Sequence, residues 1–287
     1  MGREEIKEIV RIEDGRDPRL ADYAGVREPA LLRDRGLLIA EGRFVVRRLL
    51  ALPHITVRSL LVNAAALKGL GDLLDGCLPH TDVYVASPDV ITVATGFNMH
   101  RGCLALAERP AAPTMRDGVD GAGFIAVLER VIDPDNVGSV FRSAEAFGID
   151  AVLLSPGCGD PFYRKAIRTS SGAALVVPFA AAEPWPDALD ELRRLGFLVA
   201  AMTPAEPAMP IGEFVSTADA HGRIAVLLGT EGQGLTDQAL ARADVRLRIP
   251  MNGALDSLNI ATAAGIALQR LHEARRPRES FRRPTET

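Results

Sequence analysis

Apolar runs alternate with helical patterns through the C-terminal part of the chain. Short apolar runs bounded by turn residues are typical of strands, and apolar positions three or four residues apart are typical of helices. The predicted strands cover residues 124–131, 151–154, 175–179, 197–201, 224–228 and 245–249, and the predicted helices cover 136–147, 187–195 and 257–274. Strands that alternate with helices predict a mainly parallel sheet covered on both faces.

The N-terminal part predicts a smaller α/β unit. Helical spacing over 43–50 and 64–74 alternates with strand-like runs at 59–62, 83–85 and 103–107. Two prolines then interrupt the pattern and remove backbone donors. These features predict a small α/β domain at 1–108, a linker at 109–119, a second domain at 120–274 and a disordered basic tail at 275–287.

Composition narrows the class of protein. The 287 residues are 47% hydrophobic and 24% charged, which is typical of a globular protein. The longest nearly unbroken apolar stretch, 173–182, is about half of the ~20 residues that a membrane-spanning helix needs, and the N-terminus lacks the apolar core of a signal peptide. We therefore expect a cytoplasmic protein. The cysteines and histidines lack metal-binding spacing, so no metal is predicted.

Charge permits a local basic face. The net charge of −4 argues against coating nucleic acid by bulk electrostatics. However, the segment from Arg19 to Arg58 holds eight arginines against four acidic residues. Arginines make up 30 of the 33 basic residues, a bias that genome composition explains as readily as phosphate recognition.

A first motif follows the strand predicted at 124–131 and opens a helix: Asp133-Pro134-Asp135-Asn136-Val137-Gly138-Ser139-Val140-Phe141-Arg142. Asp135 or Asn136 is the expected cap of this helix. Helical spacing places Arg142 on the polar face, one turn beyond Gly138, which is expected to leave space beside it. An exposed arginine paired with a nearby carboxylate is the alternative interpretation.

A second motif is Gly229-Thr230-Glu231-Gly232-Gln233-Gly234, directly after a predicted strand. It is neither in the first βα turn nor arranged as G-x-G-x-x-G, and the chain contains no phosphate-binding G-x-x-x-x-G-K-[ST] sequence. What remains is a glycine-rich turn. Such a turn either lets backbone groups approach a ligand or is simply tight.

A third motif joins a strand end to a helix: Ile249-Pro250-Met251-Asn252-Gly253-Ala254-Leu255-Asp256-Ser257-Leu258-Asn259. Ser257 is the expected N-cap, and Asn259 is expected in the first turn with its amide facing the loop. A face of small residues follows, which fits packing in the core and a subunit interface equally well: Ala261, Ala264 and Gly265.

The three motifs lie where predicted parallel strands end, the edge at which α/β sheets build ligand sites. In order and separation they resemble the motifs of the SpoU (TrmH) family of RNA ribose 2′-O-methyltransferases, within the SPOUT superfamily. The similarity covers 119–274 and includes the segment 165–178. The N-terminal part is similar to the substrate-binding domain of the same enzymes through 39–42 and 100–102. Thr230 and Arg101 depart from the family, which commonly has Asn or Ser and often Gln there.

The resemblance implies an α/β fold in which a mainly parallel sheet ends in a C-terminal trefoil knot, preceded by a small α/β domain that binds the RNA substrate. It also implies S-adenosylmethionine as the cofactor and a homodimer. The general rule that chains are unknotted predicts an ordinary doubly wound sheet instead.

The resemblance further implies roles for individual residues. The implied catalytic residues are Arg142, Asn136, Glu231, Ser257 and Asn259; the implied cofactor-binding residues are Gly229, Glu231, Ile249, Met251 and Leu258; and the expected RNA-binding residues are Arg43, Arg47, Arg101 and Arg168. Arginine is a poor base because its guanidinium retains its proton. We therefore expect Arg142 to stabilise the alkoxide that develops on the ribose 2′-oxygen, while a phosphate or water accepts the proton.

The predicted function is methyl transfer from S-adenosylmethionine to a ribose 2′-hydroxyl of RNA. Ribosomal RNA is preferred to transfer RNA because of the two-domain length. A non-catalytic RNA-binding protein with the same fold is the alternative. A nucleotide-dependent oxidoreductase is disfavoured because the chain lacks the G-x-G-x-x-G fingerprint.

Overall fold

The computed structural model describes residues 9–27, 29–71, 81–97, 102–253 and 257–275. The chain forms two compact units. The first unit comprises residues 1–112, 133–142 and 159–176, and the second unit comprises 113–132, 143–158 and 177–287. The domain boundaries expected from the sequence stay predictions, and the predicted tail after Arg275 lies outside the described residues.

The first unit contains a five-stranded mixed sheet. Its strands are β1 (Ile9–Ile12), β2 (Leu37–Glu41), β3 (Val57–Val62), β4 (Asp82–Ala86) and β5 (Cys103–Glu108), in the order β1-β4-β3-β5-β2. The strands β1, β4 and β3 are parallel, and β5 runs antiparallel to both of its neighbours. The helices of this part are α1 (Pro29–Asp34), α2 (Arg43–Leu50), α3 (Ala64–Lys68) and α4 (Pro88–Thr95), and a 3-10 helix covers Pro18–Arg27.

Both faces of this mixed sheet are buried, and one of them packs against the 3-10 helix. Leu20 and Tyr23 from the 3-10 helix pack with Ile39 of β2 and Leu61 of β3. The Tyr23 hydroxyl is hydrogen-bonded to Ser59 Oγ at 2.9 Å, so its polar end is satisfied although the ring is fully buried. The pattern of the sequence correctly predicted β3, β4, β5 and α2, but it missed β1 and β2.

The remaining elements follow in chain order. They are α5 (Met115–Gly118), β6 (Phe124–Glu129), α6 (Pro134–Ala146), β7 (Ala151–Leu154), α7 (Arg164–Thr169), β8 (Phe179–Ala181), α8 (Asp187–Arg194), β9 (Leu198–Met202), β10 (Met209–Pro210), α9 (Ile211–Phe214), β11 (Ile224–Gly229), α10 (Asp237–Leu240), β12 (Val245–Arg248) and α11 (Ile260–Arg275). Helix α7 and the part of α6 up to Arg142 belong to the first unit. No helix among the described residues is long and apolar enough to cross a membrane.

The second unit is built on a seven-stranded sheet in which every pairing is parallel. The order is β10-β12-β9-β11-β6-β7-β8. Its central strands are apolar on both faces, because parallel strands are covered from both sides: Ile125, Val127 and Leu227 are completely buried on one face, and Ala126, Leu128 and Val226 on the other. The mainly parallel sheet expected from the sequence is confirmed. The trefoil knot stays a prediction.

Two expectations for local structure are wrong. The strand predicted at 175–179 lies four residues too early: a 3-10 turn at Ala173–Leu175 and an irregular segment come first, and the strand of this region is Phe179–Ala181. The turn begins after Gly172, whose φ of 83° breaks an extended backbone. Helix α6 begins at Pro134, and its cap is Asp133 rather than Asp135 or Asn136. Asp133 Oδ1 accepts a hydrogen bond from the backbone N–H of Asp135 at 2.7 Å.

Gly138 has a packing role that differs from the expected one. A Cβ atom at this position would lie 2.6 Å from the carbonyl oxygen of Ala166 and 3.0 Å from Thr169 Cβ, both in α7. The missing side chain therefore does not leave space beside Arg142. It lets the backbone of α7 approach α6 within the first unit.

We expect Gly138→Ala to destabilise the protein by about 1–3 kcal/mol, since the added methyl group overpacks a backbone contact. Gly265→Ala is the matched control, because a Cβ there would lie 3.8 Å from Ser143 Oγ, an ordinary contact inside a helix. The control should be neutral or stabilising by up to about 1 kcal/mol through helix propensity. Chemical denaturation measures both effects, and equal stability of the two variants would contradict the assignment.

Candidate active site

A cavity of about 390 Å³ lies in the second unit at the carboxyl ends of β9, β11 and β12. The first residues of α11 close it. Its walls come from the strand ends and the loops after them: Met202, Thr203, Pro204, Ala205, Leu228, Gly229, Thr230, Glu231, Gly232, Gln233, Gly234, Leu235, Leu240, Ile249, Met251, Ser257, Leu258, Ile260 and Ala263. All five residues predicted to bind a cofactor therefore line one cavity, at the edge where parallel sheets bind ligands.

The loop after β11 is a tight backbone turn. The N–H of Gly234 donates to the carbonyl oxygen of Thr230 at 2.9 Å, and the N–H of Gln233 donates to that of Glu231 at 3.0 Å. Gly232 and Gly234 have positive φ angles of 80° and 67°, a conformation in which residues with a side chain are strained. The glycine-rich motif thus forms one wall of the cavity from backbone.

Gly229 is required for a different reason. A Cβ at this position would lie 2.4 Å from the carbonyl carbon of Gly234 and 2.5 Å from the nitrogen of Leu235. The loop folds back directly onto the end of β11, and only glycine leaves room for that contact. The close approach is made by the chain itself.

A buried carboxylate holds the other end of this loop. Glu129, the last residue of β6, is 1% exposed and pairs in register with Gly229 of β11. Its Oε1 accepts hydrogen bonds from Trp185 Nε1 at 2.9 Å and Thr236 Oγ1 at 2.7 Å, and its Oε2 accepts from the Thr236 N–H at 2.8 Å. Thr236 in turn caps α10 by accepting from the N–H of Ala239. Glu129 therefore fixes the point at which the loop ends.

The second and third motifs meet through Asn259. Its side-chain amide donates to Glu231 Oε1, and its Oδ1 accepts from the N–H of Ala261 at 2.9 Å. Because α11 begins at Ile260, the N-cap is Asn259, and the expectation that Ser257 would cap this helix is wrong. Asparagine serves both partners, since its oxygen caps the helix while its nitrogen reaches the carboxylate.

The cavity combines apolar walls with few charges. Leu228, Leu235 and Ile260 supply buried apolar surface, while Thr203 and Ser257 supply hydroxyl groups. Of the described residues that line it, none is basic and Glu231 alone is acidic. Such a site suits an uncharged ring system together with a positively charged group. The described residues contain no cluster of three or more His, Cys, Asp or Glu suited to a metal ion.

Asn136 and Arg142 lie on α6, in the first unit. Asn136 is half-buried, and Arg142 is exposed. Within the part of the chain that the structure describes, the Arg142 guanidinium has no hydrogen-bond or ion-pair partner, so the paired-carboxylate interpretation is not supported. Its five N–H donors are available to a phosphate or an oxyanion.

Helix α7 braces α6. The Thr169 hydroxyl donates to Asp135 Oδ1 at 2.7 Å, and Lys165 Nζ lies 3.0 Å from Asp135 Oδ2. The Thr169 hydrogen bond, together with the Lys165 charge, holds the pKa of Asp135 below its usual value. These contacts and the close approach at Gly138 attach the first turns of α6 to one side of α7.

The predicted RNA-binding arginines also belong to the first unit. Arg43 is exposed, and the half-buried Arg47 donates to the Gly69 carbonyl oxygen at 3.2 Å. Arg168 is exposed, with Nη1 4.0 Å from the buried carboxylate of Glu41. Glu41 also pairs with Arg164, so the end of β2 is attached to α7. Arg101 lies outside the described residues.

Sequence reasoning missed two parts of the site. Glu129 carried a signal, since an acidic residue ends an otherwise apolar strand, but its three donors come from distant positions. The segment 202–205 lines the cavity after β9. The strand predicted at 197–201 ended just before it, so the same rule that selected the other loops would have selected this one.

The fold and the cavity define an α/β protein that places a ligand at the carboxyl edge of a parallel sheet. The model of the SpoU rRNA Methylase family matches residues 123–269, which is more than half of the chain. The chain is 45% identical over 258 residues to an uncharacterized tRNA/rRNA methyltransferase of Mycobacterium tuberculosis (strain H37Rv), covering 88% of each protein. The chain belongs to the SpoU family of S-adenosylmethionine-dependent RNA 2′-O-methyltransferases, which confirms the resemblance drawn from its motifs.

Two further similarities extend over nearly the whole chain. The 23S rRNA (guanosine(2553)-2′-O)-methyltransferase RlmP of Bacillus subtilis is 26% identical over 261 residues, covering 91% of this chain and 98% of RlmP. The crystal structure of an rRNA methyltransferase with bound AdoMet from Sinorhizobium meliloti superposes with a TM-score of 0.78 at 22% identity, covering 92% of this chain and 98% of that one. The second similarity establishes the fold.

We expect Glu129→Gln to loosen the loop after β11. A glutamine places an N–H₂ group opposite either Trp185 Nε1 or the Thr236 N–H, whichever way its amide is turned, so one buried donor loses its acceptor. The cost should be about 1–3 kcal/mol of unfolding free energy. Hydrogen exchange of residues 229–236 should also become faster than in the wild type.

Thr236→Ser is the matched control, because serine retains the hydroxyl and the N–H that Glu129 accepts from. It should stay close to the wild type in both stability and exchange. Wild-type protection of the loop in the Glu129→Gln protein would show that Glu129 does not hold it.

Proposed function

We propose that this protein transfers a methyl group from S-adenosylmethionine, bound in the cavity of the second unit, to a ribose 2′-hydroxyl of ribosomal RNA. The observation that carries the proposal is the convergence of the second and third motifs on one cavity, joined by the hydrogen bond from Asn259 to Glu231. The family provides the reaction, and the cavity provides a place for the cofactor.

The residues present fit the cofactor. A cavity of about 390 Å³ is within the ~300–1,000 Å³ usual for small-molecule sites. The apolar side chains Leu228, Leu258 and Ile260 suit the faces of an adenine ring, and the backbone of the loop after β11 offers polar groups to its edges. A sulfonium is positively charged, so a lining that holds a carboxylate and no cation favours it.

When bound, S-adenosylmethionine supplies an electrophilic methyl carbon. The task of the protein is then to orient the ribose oxygen and to stabilise the negative charge that develops on it. Arg142 is suited to the second task, because its guanidinium is exposed and uncommitted among the described residues. Since arginine holds its proton, the hydroxyl proton passes to a phosphate or to water.

Ribosomal RNA is proposed over transfer RNA on the basis of chain organisation. RlmP, whose name gives 23S rRNA as its substrate, aligns with this chain over almost the full length of both proteins. The similarity therefore includes the N-terminal part of the chain, which we propose to bind the RNA substrate. We also propose the homodimer that is expected from the family. Sedimentation velocity measures the oligomeric state.

The experiment is transfer of labelled methyl from S-adenosylmethionine to ribosomal and transfer RNA pools from a strain lacking the gene, followed by mapping of ribose methylation. We expect label in ribosomal RNA at one 2′-O position. Label confined to transfer RNA would overturn the choice of substrate. No label in either pool together with no cofactor binding would favour the non-catalytic RNA-binding alternative, whereas no label with cofactor binding intact would indicate a partly assembled substrate.

Arg142→Ala should reduce methyl transfer by at least about 100-fold, because it removes the charge that stabilises the alkoxide. Affinity for S-adenosylmethionine should stay within about threefold of the wild type, measured by calorimetry. Arg194→Ala, which removes an exposed arginine paired with Glu191 on α8, is the control and should leave turnover unchanged. Wild-type turnover in the Arg142→Ala protein would remove this residue from the mechanism.

Leu258→Asp should abolish cofactor binding, because it places a second carboxylate in an apolar part of the cavity wall at a cost in desolvation. Leu258→Met keeps volume and apolar character and should bind S-adenosylmethionine nearly as well as the wild type. Circular dichroism checks that both variants fold. Unchanged calorimetric affinity in a folded Leu258→Asp protein would show that the cofactor binds elsewhere.

A further inference from the structure

Phe44 is the one exposed residue among the phenylalanines, tyrosines and tryptophan that the structure describes, with 62% of its surface accessible. It lies in the first turn of α2. The apolar residues that anchor this helix are Val45, Val46 and Leu49, all of them buried. Phe44 points away from that core, so the stability of the first unit gives no reason for an aromatic ring at this position.

Cationic residues are neighbours of Phe44 along the helix. Helix α2 carries three arginines and no acidic residue. Arg47 and Arg48 follow Phe44 by three and four positions, which makes them its neighbours on the helix surface. Arg47 reaches the Gly69 carbonyl oxygen on one side, with Arg43 packed against the same glycine. Arg48 reaches the Ser171 carbonyl oxygen at 3.0 Å on the other side.

A fourth cation is anchored at the same end of the helix. The carboxylate of Glu41, two residues before α2, lies 4.0 Å from Nη1 of the exposed Arg168. This carboxylate is buried and also pairs with Arg164. The start of α2 therefore presents one exposed ring among exposed and half-exposed guanidinium groups.

The residue types on this surface indicate which class of ligand it fits. An aromatic ring among arginines fits a polyanion that carries flat bases, because a base can stack on the ring while the guanidinium groups contact phosphates. Proteins recognise unpaired RNA by stacking bases on aromatic rings while basic side chains contact the phosphates. We propose that Phe44 stacks on an unpaired base of the RNA substrate, with Arg43 and Arg168 holding the adjoining phosphates. This inference rests on the proposed function and adds that the RNA is single-stranded where it meets α2.

The test uses full-length protein and two fluorescein-labelled probes, a single-stranded oligoadenylate and an RNA duplex of the same length. Phe44→Ala and Phe44→Leu should each weaken binding of the single strand about fivefold or more, because both remove the stacking surface. Phe44→Trp should bind as tightly as the wild type. Affinity for the duplex should not change in any of the three variants.

Salt dependence separates stacking from charge. The slope of log Kd against log salt should be the same in Phe44→Ala as in the wild type. Arg43→Ala should lower this slope by about the amount that one phosphate contact contributes. Thermal melts verify that each variant folds. We expect normal folding, because the side chains of Phe44 and Arg43 are both exposed.

Three outcomes would overturn the proposal. They are wild-type affinity of Phe44→Ala for the single strand, retention of that affinity by Phe44→Leu, and dissociation of an oligomer by Phe44→Ala in sedimentation velocity, which would make this face a subunit contact. Each can occur while the wild type methylates RNA normally. Failure of the proposed function would instead appear as absence of methyl transfer by the wild type.

Discussion

The cavity depends on how the chain leaves two neighbouring parallel strands, β6 and β11. Their last residues, Glu129 and Gly229, are paired in register. Gly229 lets the following loop fold back onto the strand end, and Glu129 takes hold of the same loop where it ends, at Thr236. A buried carboxylate is unfavourable unless donors surround it, and here three donors do so. The position of the cavity wall therefore depends on two neighbouring residues: the hydrogen-bonded carboxylate of Glu129, and Gly229, which lacks a side chain.

The two motif glycines with the closest contacts serve the protein's own backbone packing. Sequence reasoning assigned Gly229 to a ligand or a tight turn, and Gly138 to open space beside Arg142. In the structure the position next to Gly229 is occupied by Gly234 and Leu235, and the position next to Gly138 by the carbonyl of Ala166. Both contacts are made within the chain itself, so the shape of each segment follows from its own packing.

Much of the fold and of the cavity could be predicted from sequence, because both depend on local patterns. Features that depend on long-range contacts or on the exact course of the backbone could not. Apolar periodicity located most strands of the parallel sheet, and strand ends marked the loops that line the cavity. Caps were misassigned because several good capping residues stand close together: Asp135 or Asn136 was predicted where the structure has Asp133, and Ser257 was predicted where it has Asn259. Choosing among them depends on where the backbone turns. Glu129 was missed because its partners are 56 and 107 positions away.

Within the first unit, α7 contacts both the helix that holds the proposed catalytic residues Asn136 and Arg142 and the strand that leads to the proposed RNA-binding helix α2. On one side it contacts α6 through Gly138 and through the hydrogen bond from Thr169 to Asp135. On the other side Arg164 is held by Glu41, at the end of the strand that leads into α2. Backbone contact and buried ion pairing are stiff, so a phosphate held near α2 would be held at a defined distance from α6. Orientation of this kind is what attack by a ribose oxygen on a methyl carbon requires, because the rate of such a step depends on placing the reacting atoms and fixed charges correctly. In the proposed mechanism Arg142 stabilises the alkoxide while a phosphate or water accepts the proton, and α7 keeps the first turns of its helix in place.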